Sequence, residues 1–416
     1  MNLKYFRLYE ECYLINGKEE ACIYDLFNEK VFHINRELKK ILTLAESNKC
    51  IEEICKALNI DKATLEIQLK EVENFQVGGF FDTPPAIEKV TLNPNWQDYL
   101  FFNFPLQLDN AFIELTGKCD KDCFFCNSSK YFIHFRCMGC TKYNSNNNTN
   151  ISITKWKEYL EQLYVLNIQN LYITGGNIFL DVRKLKTVLL FAKEIGFKNI
   201  TVISCNCNIN INAVMYLKKE IKNIKFIIQC YLDKNYKDTI ENDNIINNIS
   251  VVNSSNYFFI FLLKYCNKSL INNICNILLH KIQKGSFIFD YLLDIENITN
   301  SQLQEIKFIN DKITLDYFSI KEKFHPCLKS TISILSDKII TTCPGLRDYP
   351  LSETGDIFEA IKAENRDKYS LLSCNKISPC NQCEYRYMCN DCRYIELING
   401  AQLNQTKLCG KCRLII

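Results

Sequence analysis

Between residues 5 and 33 apolar and polar positions alternate, in CYLING and in ACIYDLFNEKVFHIN with GKEE between them as a turn, and this period of two predicts strands. The period then lengthens to that of three short amphipathic helices, RELKKILTLAE, IEEICKALN and KATLEIQLKEVENF. Asp61 stands where it would cap the third. GGFFDTPP closes the stretch, and the pair Pro84-Pro85 marks a linker. Strands followed by three helices predict a winged-helix-like domain over residues 1–95.

From residue 108 strands alternate with helices. The strands are AFIELTG, NLYITGG, NITVISCN, KFIIQCYLD, YFFIFLLKY and FIFDYLLDI; the helices are clearest at ITKWKEYLEQLYVLN, DVRKLKTVLLFAKEIG and SLINNICNILLHKIQKG. Six such repeats imply an α/β unit with a parallel sheet and right-handed crossovers, a partial (β/α)6 barrel over 108–315, with its chemistry at the C-terminal strand ends. TKYNSNNNTN, residues 141–150, is polar and aperiodic and predicts an insertion near the barrel mouth. Beyond residue 320 cysteine spacing replaces regular patterning and defines a third unit, 320–416.

At 416 residues the chain exceeds one average domain, and 47% hydrophobic with 23% charged residues suits a globular protein with a sizeable core. A net charge of +3 makes no field that would draw nucleic acid or an anionic membrane, and the longest apolar run, YFFIFLL, is too short to span a bilayer. Neither partner is expected. Cysteine is the departure, with 23 residues, four before residue 110 and nine from Cys327 onward. The opening MNLKYFRLYEECYLING lacks the basic, apolar and cleavage regions of a secretion signal, so a cytoplasmic, reducing setting is expected, where such density favours metal over disulfides. Cys12, Cys22, Cys50, Cys55, Cys205, Cys207, Cys230, Cys266 and Cys275 read as core packing. Cys137 and Cys140, in CMGC, read as a further metal pair, a redox pair or two ordinary thiols.

TGKCDKDCFFCNS sets Cys119, Cys123 and Cys126 at C-x3-C-x2-C directly after the first barrel strand. Three thiolates on one tight loop hold three irons of a [4Fe–4S] cluster and leave the fourth open; the competing reading is a zinc site completed by a distant residue. C-x3-C-x-aromatic-C at this place resembles the radical S-adenosylmethionine (SAM) enzymes. The resemblance implies that the methionine moiety of SAM takes the open iron. It also implies that one electron cleaves SAM to a 5′-deoxyadenosyl radical, which takes a hydrogen from substrate. It further implies that Phe125 lies near the adenine, that Gly175, Gly176 and Asn177 of YITGGN meet the SAM amino group, and that Ser204 of ISCNCN contacts its ribose or carboxylate. Asn177 stands where the family has Glu, keeping a carbonyl acceptor and losing the charge.

In the tail, Cys380, Cys383, Cys389 and Cys392 form C-x2-C-x5-C-x2-C, preceded by Cys327, Cys343 and Cys374 and followed by Cys409 and Cys412. The spacing alone suits two iron–sulfur clusters or zinc. Beside the upstream motif it resembles a SPASM domain, which implies two auxiliary [4Fe–4S] clusters, with CLKSTISILSDKIITTC as the hairpin turning at Ser336-Asp337-Lys338. On that resemblance Cys327, Cys343 and Cys392 serve the nearer cluster, and Cys380, Cys383, Cys389 and Cys409 the outer one. Two residues before Cys392, where the family has three, are a departure. The fourth ligand of the nearer cluster is Cys374, Cys412 or a position open to substrate.

CEYRYMCNDCR together with YFRLYEECYLINGKEEACIYDL looks most like the maturases of grasp-with-spasm peptide systems, which also encode an ATP-grasp ligase and a small precursor peptide. The resemblance implies an oxidoreductase that modifies a ribosomally synthesised precursor peptide, by oxidative cross-linking through a thioether, ether or C–C bond, with an external electron donor. The N-terminal domain would take the leader of that peptide as an added strand, KVFHIN and the third helix lining the groove. That helix mixes acidic and basic residues and offers no Arg-rich face for DNA. The rival readings are maturation of a folded protein, similar to sulfatase maturation, and a zinc-stabilised peptide-binding scaffold without radical chemistry. No catalytic base is identified.

Overall fold

The computed structural model describes residues 4–91, 108–121, 123–126, 131–133, 136–139, 151–205, 209–221, 223–232, 235–242, 257–263, 268–282, 286–294, 312–389 and 391–407. The chain opens with strands β1 (Tyr5–Leu8), β2 (Cys12–Asn16), β3 (Ala21–Asp25) and β4 (Lys30–Ile34), followed by helices α1 (Arg36–Glu46), α2 (Ile51–Leu58) and α3 (Lys62–Asn74) and strand β5 (Gly78–Phe81). Asn35 caps α1 by accepting from the Leu38 N–H at 2.9 Å, and Asp61 caps α3 through Thr64 N–H at 2.9 Å, as its position in the sequence predicts. GGFF, read only as part of the segment that closes this stretch, forms β5 and pairs antiparallel with β1, where Phe80 packs edge-on against Phe6 at 5.2 Å.

Strands β2, β3 and β4 make an antiparallel sheet in that order, with β4 at one edge. Alternation along β3 divides its side chains between two cores. Ala21 and Ile23 join Leu38, Ile41, Leu65 and Leu69 of the helices, whereas Cys22 and Tyr24 join Ile313, Phe318, Tyr387 and Met388 from the far end of the chain.

The central unit carries β6 (Asn110–Glu114), β7 (Tyr131–Ile133), α4 (Ile153–Val165), β8 (Asn170–Thr174), α5 (Val182–Glu194), β9 (Asn199–Cys205), α6 (Ile211–Glu220) and β10 (Lys225–Leu232). It continues with α7 (Tyr236–Asn242), β11 (Tyr257–Leu263), α8 (Lys268–Lys281) and β12 (Ser286–Asp294). After it come α9 (Leu315–Lys323), β13 (Thr331–Ile334), β14 (Ile340–Thr341), α10 (Ile357–Ala360), α11 (Ala363–Ser370) and α12 (Arg393–Ile398). Strands β6, β8, β9, β10, β11 and β12 are the six expected from the alternation, and they pair in that order, all parallel. β7 closes one end antiparallel to β12, and β13, with β14 beyond it, extends the other end through a parallel pairing to β6. The polar insertion at 141–150 lies outside the described residues.

One sheet face packs on the helices through Val202, Phe226, Ile228 and Trp156, and the other forms a separate core of Phe112, Ile203, Ile227, Ile260, Leu262 and Leu292. No helix among the described residues is long and apolar enough to cross a membrane.

The first sheet is seated on the cysteine-rich end of the chain. Lys18 N–H donates to the Gln382 carbonyl at 2.7 Å, the Tyr24 hydroxyl to the Glu384 carbonyl at 2.8 Å, and Arg386 Nη1 to the Asn16 carbonyl at 3.0 Å. At Gly17 a Cβ would lie 2.3 Å from Glu384 Oε2 and 2.9 Å from its backbone nitrogen, so the hairpin turn approaches as only glycine allows. Tyr24→Phe is expected to lower stability by about 1 kcal/mol, since the Glu384 carbonyl loses a buried donor; an unchanged urea midpoint would show that this contact contributes nothing.

Candidate active site

The three-cysteine loop leaves the end of β6 and lies against the turn that ends β8. Gly176 N–H donates to the Thr116 carbonyl at 2.8 Å and Asn177 N–H to the Lys118 carbonyl at 2.7 Å. Gly175 has φ of 144°, and a Cβ on Gly176 would sit 2.2 Å from the Lys118 carbonyl oxygen. The double glycine therefore lets two backbones meet, and through them fixes where Cys119 begins. Cys119, Cys123 and Cys126 are all half-buried, with Cys126 N–H donating to the Cys123 carbonyl at 2.9 Å and Lys121 N–H to Cys119 Sγ at 3.5 Å.

The Asn177 side chain works in both directions. Its carbonyl accepts from Phe179 N–H at 3.1 Å, and its Nδ2 donates to Asp120 Oδ1 at 2.6 Å. Asp120 lies between the first two cysteines, and its carboxyl is held below the usual range, first by that bond. The charge missing at Asn177 is thus present one side chain away.

Phe125 projects over the interior core. Its ring centroid is 5.7 Å from Tyr231 and 5.3 Å from Phe124, and Phe112 and Tyr172 stack at 4.6 Å in the same core. Alternation gives β9 a different reading from the sequence analogy: Ile200 and Val202 face the helices and Ile203 the interior, so Ser204 takes the helix side and Cys205 the interior. Two residues that motif reading passed over point inward instead. Gln229 is 1% exposed and neither polar atom of its side chain has a partner among the described residues; Asp290, also 1% exposed, shares the face of its ladder partner Leu262. An orphaned buried amide is the mark of a ligand that the protein is built to receive.

Glu114, at the end of β6, was equally silent in the sequence. Its Oε2 accepts from Ser336 N–H at 2.9 Å, Ser336 Oγ at 3.1 Å and Arg347 Nη2 at 2.6 Å, which clamps the β13–β14 turn onto the parallel sheet. Burial raises its carboxyl, and the Arg347 guanidinium opposes that shift.

Among the C-terminal cysteines two neighbourhoods appear. Burial pushes the Cys343 thiol up to about 11, with Cys327 adding to the rise. It raises Cys392 further, with Cys343 and Cys327 among the charges acting on it. Cys327, Cys343 and Cys392 therefore lie within electrostatic range of one another. Cys374 sits apart in its bonding: its thiol donates to the Lys321 carbonyl at 3.4 Å and packs beside Tyr24, Phe318 and Tyr387. Cys380 and Cys383 share a turn closed by Cys383 N–H to the Cys380 carbonyl at 2.9 Å; Cys389 follows, its N–H on the Tyr385 carbonyl at 3.1 Å. Cys409 and Cys412 lie outside the described residues, as do Cys140, Cys207 and Cys266. Among the described residues no three cysteine sulfurs lie within 4.8 Å of one another, whereas tetrahedral zinc with bonds of ~2.3 Å holds its sulfurs ~3.8 Å apart. Cys12, Cys22, Cys50, Cys205 and Cys230 are buried, as core cysteines should be.

Asp391 fixes the last turn of this module. It accepts from His325 Nε2 at 3.0 Å and pairs with Arg393, whose Nη1 also donates to the Gln405 carbonyl at 2.7 Å and Nη2 to Thr406 Oγ1 at 2.9 Å.

No family model matches the chain, and no curated protein matches it. Solved structures do. Streptococcus suis SuiB bound to S-adenosylmethionine superposes with a TM-score of 0.52 at 13% identity. The same protein bound to precursor peptide SuiA gives 0.50 at 12% identity. Each comparison covers 97% of this chain and 99% of that chain. At such identity the likeness is one of architecture: across nearly its whole length the chain has the mixed α/β fold of SuiB, built on a large parallel sheet.

Proposed function

We propose that this chain is a radical SAM enzyme of SPASM type that modifies a ribosomally synthesised precursor peptide. The observation that carries the reading is the half-buried Cys119, Cys123 and Cys126 loop at the end of the first parallel strand, held against Gly175 and Gly176. The donor set fits: soft thiols on one turn, an aromatic floor at Phe125, and the unpartnered Gln229 amide facing the interior. The fold shared with SuiB, which has been solved with SAM and with a precursor peptide, supports the same reading.

When bound, the cluster supplies the electron that splits SAM and so gives the radical that takes hydrogen from the peptide. The chain's own part is to hold and orient. Cys119, Cys123 and Cys126 would hold the cluster; Gly175 and Gly176 keep the backbone close; Asp120, carried by Asn177, would supply a carboxylate for the SAM amino group; Phe125 would lie near the adenine. Ser204, on the helix side, is given no contact. Asp120→Asn is expected to weaken SAM binding about fourfold, an effect of the size that exposed charge pairs have. An unchanged dissociation constant would remove Asp120 from the site.

In this reading residues 1–95 form the leader-binding domain, with the leader added along the β4 edge, and residues 320–416 form a SPASM module with two auxiliary clusters. The test is anaerobic reconstitution followed by incubation with SAM, a strong reductant and a candidate small precursor peptide. Formation of 5′-deoxyadenosine and loss of two hydrogens from the peptide is the expected result. Stoichiometric zinc with no SAM cleavage would favour the scaffold instead.

A further inference from the structure

The N-terminal sheet meets the cysteine-rich span through side chains as well as through the backbone bonds described above. His33 on β4 is the ladder partner of Cys22 on β3, so the two side chains share the sheet face that turns towards the C-terminal module. Glu20, two residues before Cys22, continues the same alternation from the end of the hairpin turn. His33 Nε2 lies 2.9 Å from Glu20 Oε2. The His33 ring stacks on Tyr385, with centroids 6.2 Å apart and planes 9° from parallel.

Glu384 comes to this place from the opposite side. It is 3% exposed, and its carbonyl accepts from the Tyr24 hydroxyl. Its carboxylate is seated against the hairpin turn, where Oε2 occupies the room that a Gly17 side chain would fill. One ligand atom from each of Glu20, His33 and Glu384 lies within 4.8 Å of the other two. Among the described residues no other trio of His, Cys, Asp or Glu meets that spacing. A surface ion pair accounts for His33 and Glu20, whose side chains are 43% and 41% exposed. It does not account for a buried carboxylate brought to the same pair from the far end of the chain. The trio carries two negative charges against at most one positive, and desolvation of Glu384 makes that imbalance costly. A divalent cation balances it.

We propose that Glu20, His33 and Glu384 bind a divalent transition-metal ion, zinc above all, between the N-terminal sheet and the cysteine-rich span. One imidazole and two carboxylates are a donor set that zinc takes, with water in the fourth position. Zinc with bonds of ~2.0–2.2 Å holds neighbouring tetrahedral ligands ~3.4 Å apart, so the trio has to close by no more than ~1.5 Å. Glu20 and His33 can supply that movement from the surface, while Glu384 is held in place by the turn against which it is buried. The same exposure gives the ion its way in. Once bound, it would join residues 20 and 33 to residue 384 and staple the sheet to the module. The proposal does not rest on the radical reading, since none of the three ligands is a thiol.

The test uses the full chain, purified without oxygen, incubated with zinc sulfate and desalted. Zinc is counted in the parent and in Glu20→Gln, His33→Gln and Glu384→Gln. All four keep every cysteine, so metal on thiols cancels from the differences. Each variant is expected to hold about one zinc per chain fewer than the parent. Zinc should also raise the urea midpoint of the parent more than that of His33→Gln. With cobalt in place of zinc, the parent-minus-variant absorption should show d–d bands without a thiolate charge-transfer band. Glu20 and His33 lie at the surface, so their variants carry the test if Glu384→Gln does not fold. Equal zinc in the parent and the Glu20 and His33 variants would overturn the proposal, as would thiolate charge transfer in the difference spectrum. So would zinc lost from those two variants but kept by Glu384→Gln, which would mean an adventitious ion only, on an exposed pair.

Discussion

Cys123→Ala is expected to reduce the reductive cleavage of SAM to the level of an enzyme-free control while leaving precursor-peptide affinity within about twofold of the parent. A cluster already short of one protein ligand has no thiolate to spare. Within the loop the Cys123 carbonyl accepts from Cys126 N–H at 2.9 Å, a backbone bond that the substitution leaves in place. The β4 edge belongs to another core, of Ile34, Leu38, Ile41 and their neighbours, which among the described residues shares none with the core of the parallel sheet. Iron analysis, deoxyadenosine formation and peptide binding by fluorescence anisotropy separate the outcomes. Loss of peptide binding in this variant would mean that the leader is not held by the N-terminal sheet.

Asp391→Ala is expected to destabilise the C-terminal module by about 3–5 kcal/mol, read from the urea midpoint. The Arg393 side chain is completely buried, and Asp391 is its charge partner. Removing the carboxylate leaves a buried guanidinium bonded to the Leu403 and Gln405 carbonyls and the Thr406 hydroxyl, with the Glu396 carboxylate as a remaining charge that acts on it. Burial works against the charged carboxylate, yet Arg393 and His325 hold the Asp391 carboxyl well below the usual range. A depressed folded-state pKa gives stability that is complete above the unfolded value, about 3.9, and is lost as pH falls towards the folded one. The variant should therefore lack this part of the acid sensitivity. An unchanged midpoint at neutral pH would show that the ion pair is solvated.

The parallel sheet was legible because a buried strand between amphipathic helices leaves a period that survives in sequence. NLYIT, NITVISC and YFFIFLL are strands as expected, and so is the β13–β14 hairpin that turns through Lys338 at φ 76°. GGFF was not legible, since its strand character comes from Phe6 and from its pairing with β1 rather than from its own residues. Side-chain direction at a strand end was also beyond the motif: only the pairing with β10 and the cores on either face show that Ser204 and Cys205 point oppositely. Glu114 was hidden for a third reason. It holds Ser336 and Arg347, 222 and 233 positions away, and neither partner carries a local mark of the contact.

Between Cys383 and Cys389 run Glu384, Tyr385, Arg386, Tyr387 and Met388, and the three-stranded sheet rests on this span through the Glu384 carbonyl, the Tyr24–Tyr387 ring contact and the Arg386 bond to Asn16. The span ends on a cysteine at each side and carries the sheet on its middle. Iron held at those cysteines, as proposed, would set how that middle sits, and so the angle at which the β4 edge meets an arriving leader. By the reciprocity of coupled equilibria, a leader bound at that edge would tighten the hold on iron by the same factor. An empty chain would then be a poor receiver of its own substrate, and the order of assembly, metal before peptide, would be written into five residues.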